Sequence, residues 1–181
     1  SSTSRGLGDV YKRQDLSDQQ LADRLQDWAL NRQRLLEFLP FAKQRMETFS
    51  DLAPLGHYLL AGMLPITRDQ LLATATDEEQ LGEILQYALW RLEALDDWRR
   101  EEIFSALQQV ADGMQLKLKA FLAPMFIAVA GTNASVSVMD SMQMLGPDMS
   151  RARLRHAQEL VGSLGKKKLK KMQQNYAKLI E

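Results

Sequence analysis

Cysteine is absent from the 181-residue chain, which excludes a disulfide framework and a thiolate-bound zinc site. Histidine is almost absent. His57 and His156 lie far apart in the sequence, and neither has a Ser or Cys nucleophile pattern nearby. The ten glycines are scattered, mostly at predicted helix ends, so there is no Gly-rich phosphate loop. The sequence therefore offers no catalytic residue and no metal ligand.

Long hydrophobic runs are also lacking. The longest, residues 121–130, is interrupted by Pro124 and is shorter than the roughly 18 residues that a membrane-spanning helix needs. No secretory signal pattern is present at the N-terminus. We therefore expect a soluble, cytoplasmic protein with no membrane partner. Its 45 % hydrophobic and 25 % charged residues are an ordinary globular balance that can build a core.

A net charge is lacking too, but the charges are unevenly distributed. The formal net charge is zero over the whole chain, whereas residues 15–102 carry −8 and residues 151–181 carry +7. A polyanionic partner, if there is one, should therefore meet the C-terminal end first.

The first fourteen residues do not read as part of a fold. Residues 4–14, SRGLGDVYKRQ, resemble the translation of a sequencing adapter of the kind that remains in metagenomic assemblies. We therefore treat 1–14 as an artefact without structure, and expect the natural gene to begin further upstream.

Helical periodicity dominates from Ser17 onward, and predicts an all-α fold of many helices. Three segments have the sequence of a capping box, in which a Ser or Thr side chain and a Glu or Gln three residues later satisfy backbone donors. They begin at Ser17, Thr67 and Thr76. The other predicted helices include 116–122, 136–145, 149–161 and 166–180. The β-rich run 126–130 alone cannot make a sheet.

Breaks in this pattern divide the chain into four parts. We predict a first helical subdomain over 15–62, a second over 63–161 and a Lys-rich helical extension over 162–181, after the artefact at 1–14.

Several separated motifs resemble the C-terminal half of bacterial glutamyl-tRNA synthetases, and they occur in the same order as in that family. LSDQQLADRL at 16–25 is similar to the helix that follows the family's catalytic domain, and QRMETFSDL at 44–52 to its ER-x-x-TL-x-EL stretch. The strongest match is 116–154, which includes AVAGT at 128–132 and RARL at 151–154. Phe126 and Ala120 depart from it, since the family usually has Arg and Lys there.

The resemblance implies an anticodon-binding domain of a class I aminoacyl-tRNA synthetase, a multi-helical bundle or superhelix that binds glutamate-accepting tRNA. It leaves open whether glutamine-accepting tRNA is also bound, and it implies a monomer. The HIGH and KMSKS signatures are absent. We therefore expect an inert fragment without a cofactor, the ATP and Mg²⁺ of the parent ligase belonging to its catalytic domain. A glutaminyl or class I lysyl enzyme, or a helical protein-interaction adaptor without RNA affinity, are the alternatives.

The resemblance also implies tRNA-binding residues. Arg45 matches the position whose guanidinium reads an anticodon base, and a planar five-donor fork suits bidentate contact with an unpaired base. The alternative is a surface Arg that pairs with a carboxylate. A loop and helix start at Ser135, Val136, Val138 and Met139 match the family's anticodon-contacting segment, where free N–H groups can meet phosphate or base edges. Lys117 is a predicted phosphate contact.

The tail contains the densest basic run, with predicted tRNA-binding side chains at Lys166, Lys167, Lys168, Lys170 and Lys171. Leu169, Met172, Tyr176 and Leu179 give the same helix an apolar stripe. Such a helix can bind tRNA phosphates, lie on an anionic membrane or dock on the acidic part of its own chain.

Overall fold

The computed structural model of the protein describes residues 16–29, 32–132, 136–162 and 164–180. Within these ranges every regular element is helical, which confirms the all-α prediction. The described α-helices are α1 (Asp18–Ala29), α2 (Arg32–Ala42), α3 (Leu52–Leu60), α4 (Arg68–Leu72), α5 (Glu78–Glu93), α6 (Arg100–Gly113), α7 (Leu118–Ala130), α8 (Val138–Leu145), α9 (Pro147–Val161) and α10 (Lys166–Ile180), with a 3₁₀ turn at Phe49–Asp51 before α3. Among the described helices, none combines the length and the hydrophobicity that a membrane span requires.

Side-chain caps set several of the helix starts. The Ser17 capping box forms as predicted, with Ser17 N–H donating to Gln20 Oε1 at 3.0 Å and Gln20 N–H donating to Ser17 Oγ at 3.3 Å. The Thr67 box also forms and begins α4. The box predicted at Thr76 is wrong by one residue. Asp77 is the N-cap of α5 instead, and its carboxylate accepts from Gln80 N–H at 2.7 Å.

The chain divides into two compact units between Gly62 and Met63. In the first, α2 and α3 bury a small core made from Phe38, Ala42, Tyr58 and Leu59. Gly56 lets the helices approach closely, because a Cβ there would lie 2.9 Å from the Phe38 ring.

In the second unit α4, α6, α7 and α9 pack against α5, and α5 buries nine of its sixteen residues. Helix α8 packs against α6, α7 and α9. The structure corrects the prediction for α7. This helix runs to Ala130 and includes both Pro124 and the β-rich segment 126–130. It is buried on nearly all sides, as expected for a helix that is apolar all round. Gly131 ends it in the left-handed conformation at φ 78°.

Two arginines of α9 satisfy the C-terminal carbonyls of other helices. Arg151 Nη2 donates to the carbonyls of Leu92 at 2.7 Å and Leu95 at 3.2 Å, at the end of α5. Arg153 is 1 % exposed and donates to the Val129 carbonyl near the end of α7. Cations are favourable at these helix ends, so both arginines hold α9 against its neighbours.

The last helix matches its prediction at both ends and docks on the same unit. Of the uses that the sequence leaves open for the tail, the structure shows docking. Met172 is 2 % exposed, and the Tyr176 ring lies 5.7 Å from Tyr87 and 5.4 Å from Trp90, measured between centroids.

Candidate nucleic-acid interface

Arg45 lies in the turn that ends α2. Its backbone N–H donates to the Ala42 carbonyl at 2.9 Å, and its Nη1 donates to the Phe41 carbonyl at 3.2 Å. The side chain is exposed. A cation at the C-terminus of a helix is favourable, so the helix itself helps to hold this guanidinium in position.

Asp51 fixes the segment that follows Arg45. Its carboxylate accepts from Thr48 N–H at 2.8 Å and from Glu47 N–H at 2.9 Å. The Thr48 and Glu47 N–H groups lower the pKa of Asp51 below its ordinary value, because they bond to the charged form. The capping box from Thr48 to Asp51 therefore gives Arg45 an ordered neighbour on its C-terminal side.

An apolar groove borders this segment. Phe49, at the start of the 3₁₀ turn, is 96 % exposed. The groove is lined by Arg34, Leu35, Phe38, Phe49, Ser50, Leu52, Ala53, Gly56, Leu59 and Leu60. Sequence reasoning missed it, because helical periodicity places apolar residues on one face without showing whether that face is covered.

The predicted segment in the second unit lies at the N-terminus of α8. Ser135 is outside the described residues. The side chains of Val136, Val138 and Met139 are 4 %, 1 % and 7 % exposed, so all three belong to the core. Their contact with tRNA stays a prediction. Because the three side chains are buried, backbone groups of this segment would have to make such a contact.

Ser137 is the residue that sequence reasoning missed here. It is the N-cap of α8, and its Oγ accepts from Asp140 N–H at 3.1 Å. The sequence Ser137-Val138-Met139-Asp140 has the S-x-x-D spacing of an N-terminal cap, and this signal could have found it.

Ion pairing and hydrogen bonding tie α8 to α6. Arg100 Nε lies 3.1 Å from Asp140 Oδ1. The indole N–H of Trp98 donates to the Met142 carbonyl at 2.8 Å, and the Arg100 N–H donates to Gln143 Oε1 at 2.7 Å. One ion pair therefore holds the first turn of α8, and two hydrogen bonds hold its second half against the start of α6.

Lys117 is exposed and is the N-cap residue of α7. The loop that leads to α8 follows the other end of this 13-residue helix, about 20 Å further along its axis. Lys117 and that loop therefore lie at opposite ends of α7.

The tail lysines behave in two ways. Lys166, Lys167, Lys170 and Lys171 are exposed. Lys168 is half-buried and its Nζ lies 3.4 Å from Glu79 Oε1. No group of three or more His, Asp or Glu side chains in the described ranges is arranged to hold a metal ion.

Comparison with known proteins gives the chain its relatives. It is 49 % identical over 175 residues to a glutamate–tRNA ligase of Cellvibrio japonicus, a match that covers 97 % of this chain and 35 % of the relative. A glutamate–tRNA ligase of Saccharophagus degradans is 47 % identical, over 96 % of this chain and 34 % of the relative. The chain thus spans about a third of the length of these curated relatives.

The fold also has a solved counterpart. A glutamate tRNA ligase from Elizabethkingia meningosepticum superposes with a TM-score of 0.65 at 17 % identity, over 82 % of this chain and 30 % of that one. This likeness concerns the fold. The model of the anticodon binding domain matches residues 20–158, most of the chain. The chain therefore belongs to the anticodon binding domain family, in the form found in glutamate–tRNA ligases.

Proposed function

We propose that this chain recognises the anticodon of a tRNA as the C-terminal part of a glutamate–tRNA ligase. The observation that carries the proposal is the match of residues 20–158 to the anticodon binding domain, together with 49 % identity to a glutamate–tRNA ligase along 97 % of the chain. The ligand is a glutamate-accepting tRNA, and glutamine-accepting tRNA is the second candidate that the experiment should include. The chain acts as a monomer in this proposal.

Arg45 is the base-reading side chain in this proposal. It is exposed, it is held at the end of α2, and the clamped segment 47–51 follows it directly. A guanidinium held in this way can meet two acceptors on the edge of an unstacked base. At the N-terminus of α8, Ser137 and the surrounding backbone supply polar groups, and Lys117 supplies a phosphate contact.

The reaction of the parent ligase would need ATP and Mg²⁺ on a catalytic domain that this sequence does not include. The chain by itself should bind tRNA without a cofactor and should give no glutamate-dependent ATP–pyrophosphate exchange.

Binding to tRNAs with exchanged anticodons tests the proposal. The purified chain is titrated with glutamate- and glutamine-accepting tRNAs, with the same tRNAs carrying a substituted anticodon, and with an unrelated tRNA. Affinity should fall when the anticodon is exchanged and the rest of the tRNA is kept. Equal affinity for all of these RNAs, or no binding, would overturn anticodon recognition.

Arg45→Ala sharpens the test. The variant should lose about 1–3 kcal/mol of binding free energy for the cognate tRNA, the usual contribution of a bidentate base contact. The loss should shrink for tRNAs with a substituted anticodon. Lys43→Ala is the matched control, because Lys43 is another exposed cation two residues away. If Arg45→Ala weakens every tRNA alike, Arg45 contacts the backbone rather than a base.

A further inference from the structure

One face of the tail helix α10 packs against the rest of the second unit. Near its start, Lys168 pairs with Glu79, the second residue of α5. Further along, Tyr176 packs on Tyr87 and Trp90 in the middle and last part of α5. The two helices therefore run in the same direction.

Its C-terminal end meets α6. Gln109 Nε2 donates to the Ile180 carbonyl at 3.0 Å, and the Leu179 side chain lies directly against Gly113. Met172 is almost fully buried and Leu169, Tyr176 and Leu179 are half-buried, so the same chain covers most of the apolar stripe of α10.

The opposite face of α10 carries the charge. At 100° per residue, positions 166, 167, 170, 174, 177 and 178 lie on the side away from Met172, and position 171 lies at the edge of that side. We define the lysine face as Lys166, Lys167, Lys170 and Lys171, all of which are exposed. None of these four ammonium groups forms an ion pair with a carboxylate among the described residues, whereas Lys168, on the docked side, does.

The closely spaced lysines lower the stability of α10 itself. Lys166 and Lys170, and likewise Lys167 and Lys171, are like charges at i, i+4, which destabilises a helix. They also lie in its first two turns, where the helix dipole disfavours cations. Among the four, Lys171 also lies near Glu83 of α5 and lowers the pKa of that carboxyl. Attraction to α5 therefore accounts for part of the charge at Lys171, but it does not account for Lys166, Lys167 and Lys170. Local conflicts of this kind are expected where a surface has a binding function.

We propose that the lysine face binds the phosphate backbone of the RNA whose anticodon the rest of the chain recognises. The inference rests on the proposed function and adds to it a surface beyond residues 20–158, which the anticodon binding domain model matches. Residues 15–102 carry a net charge of −8, so a polyanion needs a separate cationic surface on this chain. A membrane fits less well, because an interfacial helix inserts its apolar face and that face is already buried against α5 and α6.

The dependence of tRNA affinity on salt tests this surface. The variant K167Q/K170Q/K171Q removes three charges from the lysine face. R68Q/R99Q/R155Q removes three charges from residues that pair with Glu78, Asp97 and Glu93 elsewhere on the second unit. Each neutralised phosphate contributes about 0.7 to 0.9 to the slope of log affinity against log salt. With two or three phosphates contacted, the lysine variant should lower that slope by about 1.4 to 2.7, and the arginine control should change it much less.

Three further readouts make the result specific. K167R/K170R/K171R keeps the charge and should keep the slope of the unsubstituted protein. The preference for the cognate anticodon should survive in the lysine variant, because phosphate contacts carry no sequence information. The melting temperature should stay close to that of the unsubstituted protein, since the three side chains are exposed and the lost attraction between Lys171 and the partly exposed Glu83 has a small effect.

The outcomes separate this inference from the proposed function. If the unsubstituted protein prefers the cognate anticodon but the lysine variant keeps its salt slope, the lysine face does not bind RNA and anticodon recognition stands. An equal loss of slope in the arginine control would show an effect of net charge alone and overturn the inference. Lysine-dependent binding to phosphatidylserine vesicles, with the tRNA slope unchanged, would assign the face to a membrane. If no tRNA binds the unsubstituted protein, the proposed function and this inference both fail.

Discussion

The two units treat their apolar surface differently. In the second unit α10 covers aromatic side chains of α5 and packs on Gly113 of α6, and even a charged residue, Arg153, is enclosed. In the first unit α2 and α3 bury a few residues, while Leu36 stays 49 % and Phe49 96 % exposed. A small unit buries a smaller fraction of its surface, so each core residue there matters more. The comparison teaches that the helical periodicity of apolar residues gives both units apolar faces. Such a face is buried only where a further helix packs against it.

Substitutions of Phe38 and Phe49 test whether the first unit depends on a small core. Phe38→Ala should destabilise that unit by about 3–5 kcal/mol, the usual cost of deleting a buried aromatic ring. Phe49→Ser should have almost no effect, because the ring is already in solvent. Hydrogen exchange of the amides in α2 and α3 measures both. Equal loss of protection in the two variants would show that Phe49 has a packing partner in solution and contradict the comparison.

Arg153 tests the enclosed second unit. Arg153→Ala should cost about 3 kcal/mol, because it leaves a cavity and removes the donor to the Val129 carbonyl. Arg153→Met fills most of the cavity without restoring the hydrogen bond, and it should recover part of the loss. Arg155→Ala is the control. Its guanidinium is half exposed and pairs with Glu93, so about 0–1 kcal/mol is expected. Urea unfolding of the three variants gives these values, and an undiminished stability of Arg153→Ala would contradict an enclosed role.

The fold could be predicted where local signals were unambiguous. The capping sequences at Ser17 and Thr67 and the bounds of α10 agree with the structure. At the start of α5, Thr76 and Asp77 each have a Glu or Gln three residues later, and nothing local chooses between them. The helix around Leu122 was predicted too short, because Pro124 and a β-rich run suggested an end. Burial on nearly all sides of α7 overrides those propensities.

The candidate interface could be predicted only in part. The resemblance singled out Arg45, and the structure places it exposed at the end of a helix. Its contact with a base stays a prediction. Met139 was predicted to contact tRNA, but its side chain is buried, because α8 packs against α6, α7 and α9. A helix with neighbours on three sides has a core face wider than its periodicity indicates.

Gly113 tests whether α10 closes the second unit in solution. A Cβ at this position would collide with the Leu179 side chain and lie 3.0 Å from its carbonyl oxygen. Gly113→Ala should therefore destabilise by about 1–3 kcal/mol through overpacking, although alanine favours the helix. Gly165→Ala is the control, since nothing lies within 4 Å of its added Cβ. A gain in melting temperature for Gly113→Ala would mean that α10 does not dock there.

The smallest expected effects come from two carboxyl groups. At neutral pH, Glu83 lowers the stability of the second unit, whereas Asp51 raises that of the first. Burial raises the pKa of Glu83 in α5, with Glu79 and Asp77 adding to the shift and Lys168 and Lys171 opposing it. The folded state therefore holds a proton more readily than the unfolded chain, and Glu83 lowers stability progressively as the pH rises through its folded pKa. Glu83→Gln should slightly stabilise the second unit at neutral pH and lose that advantage below about pH 4, where the carboxyl is neutral in both states.

Asp51 in the first unit is the opposite case. Its pKa is lowered by the N–H groups of Thr48 and Glu47, so its contribution is complete above the unfolded pKa of about 4 and is lost as the pH falls through the folded pKa. Asp51→Asn should therefore destabilise the 47–51 segment at neutral pH, with the difference from the unsubstituted protein shrinking in acid. Unit-specific amide exchange at pH 7 and at about pH 2.5, below the unfolded pKa of both carboxyls, measures both variants. If both Glu83→Gln and Asp51→Asn lower amide protection at neutral pH, Lys168 and Lys171 stabilise the charged Glu83 carboxylate by more free energy than its burial costs. That result would strengthen the docking of α10 and remove the difference in electrostatic sign between the two units.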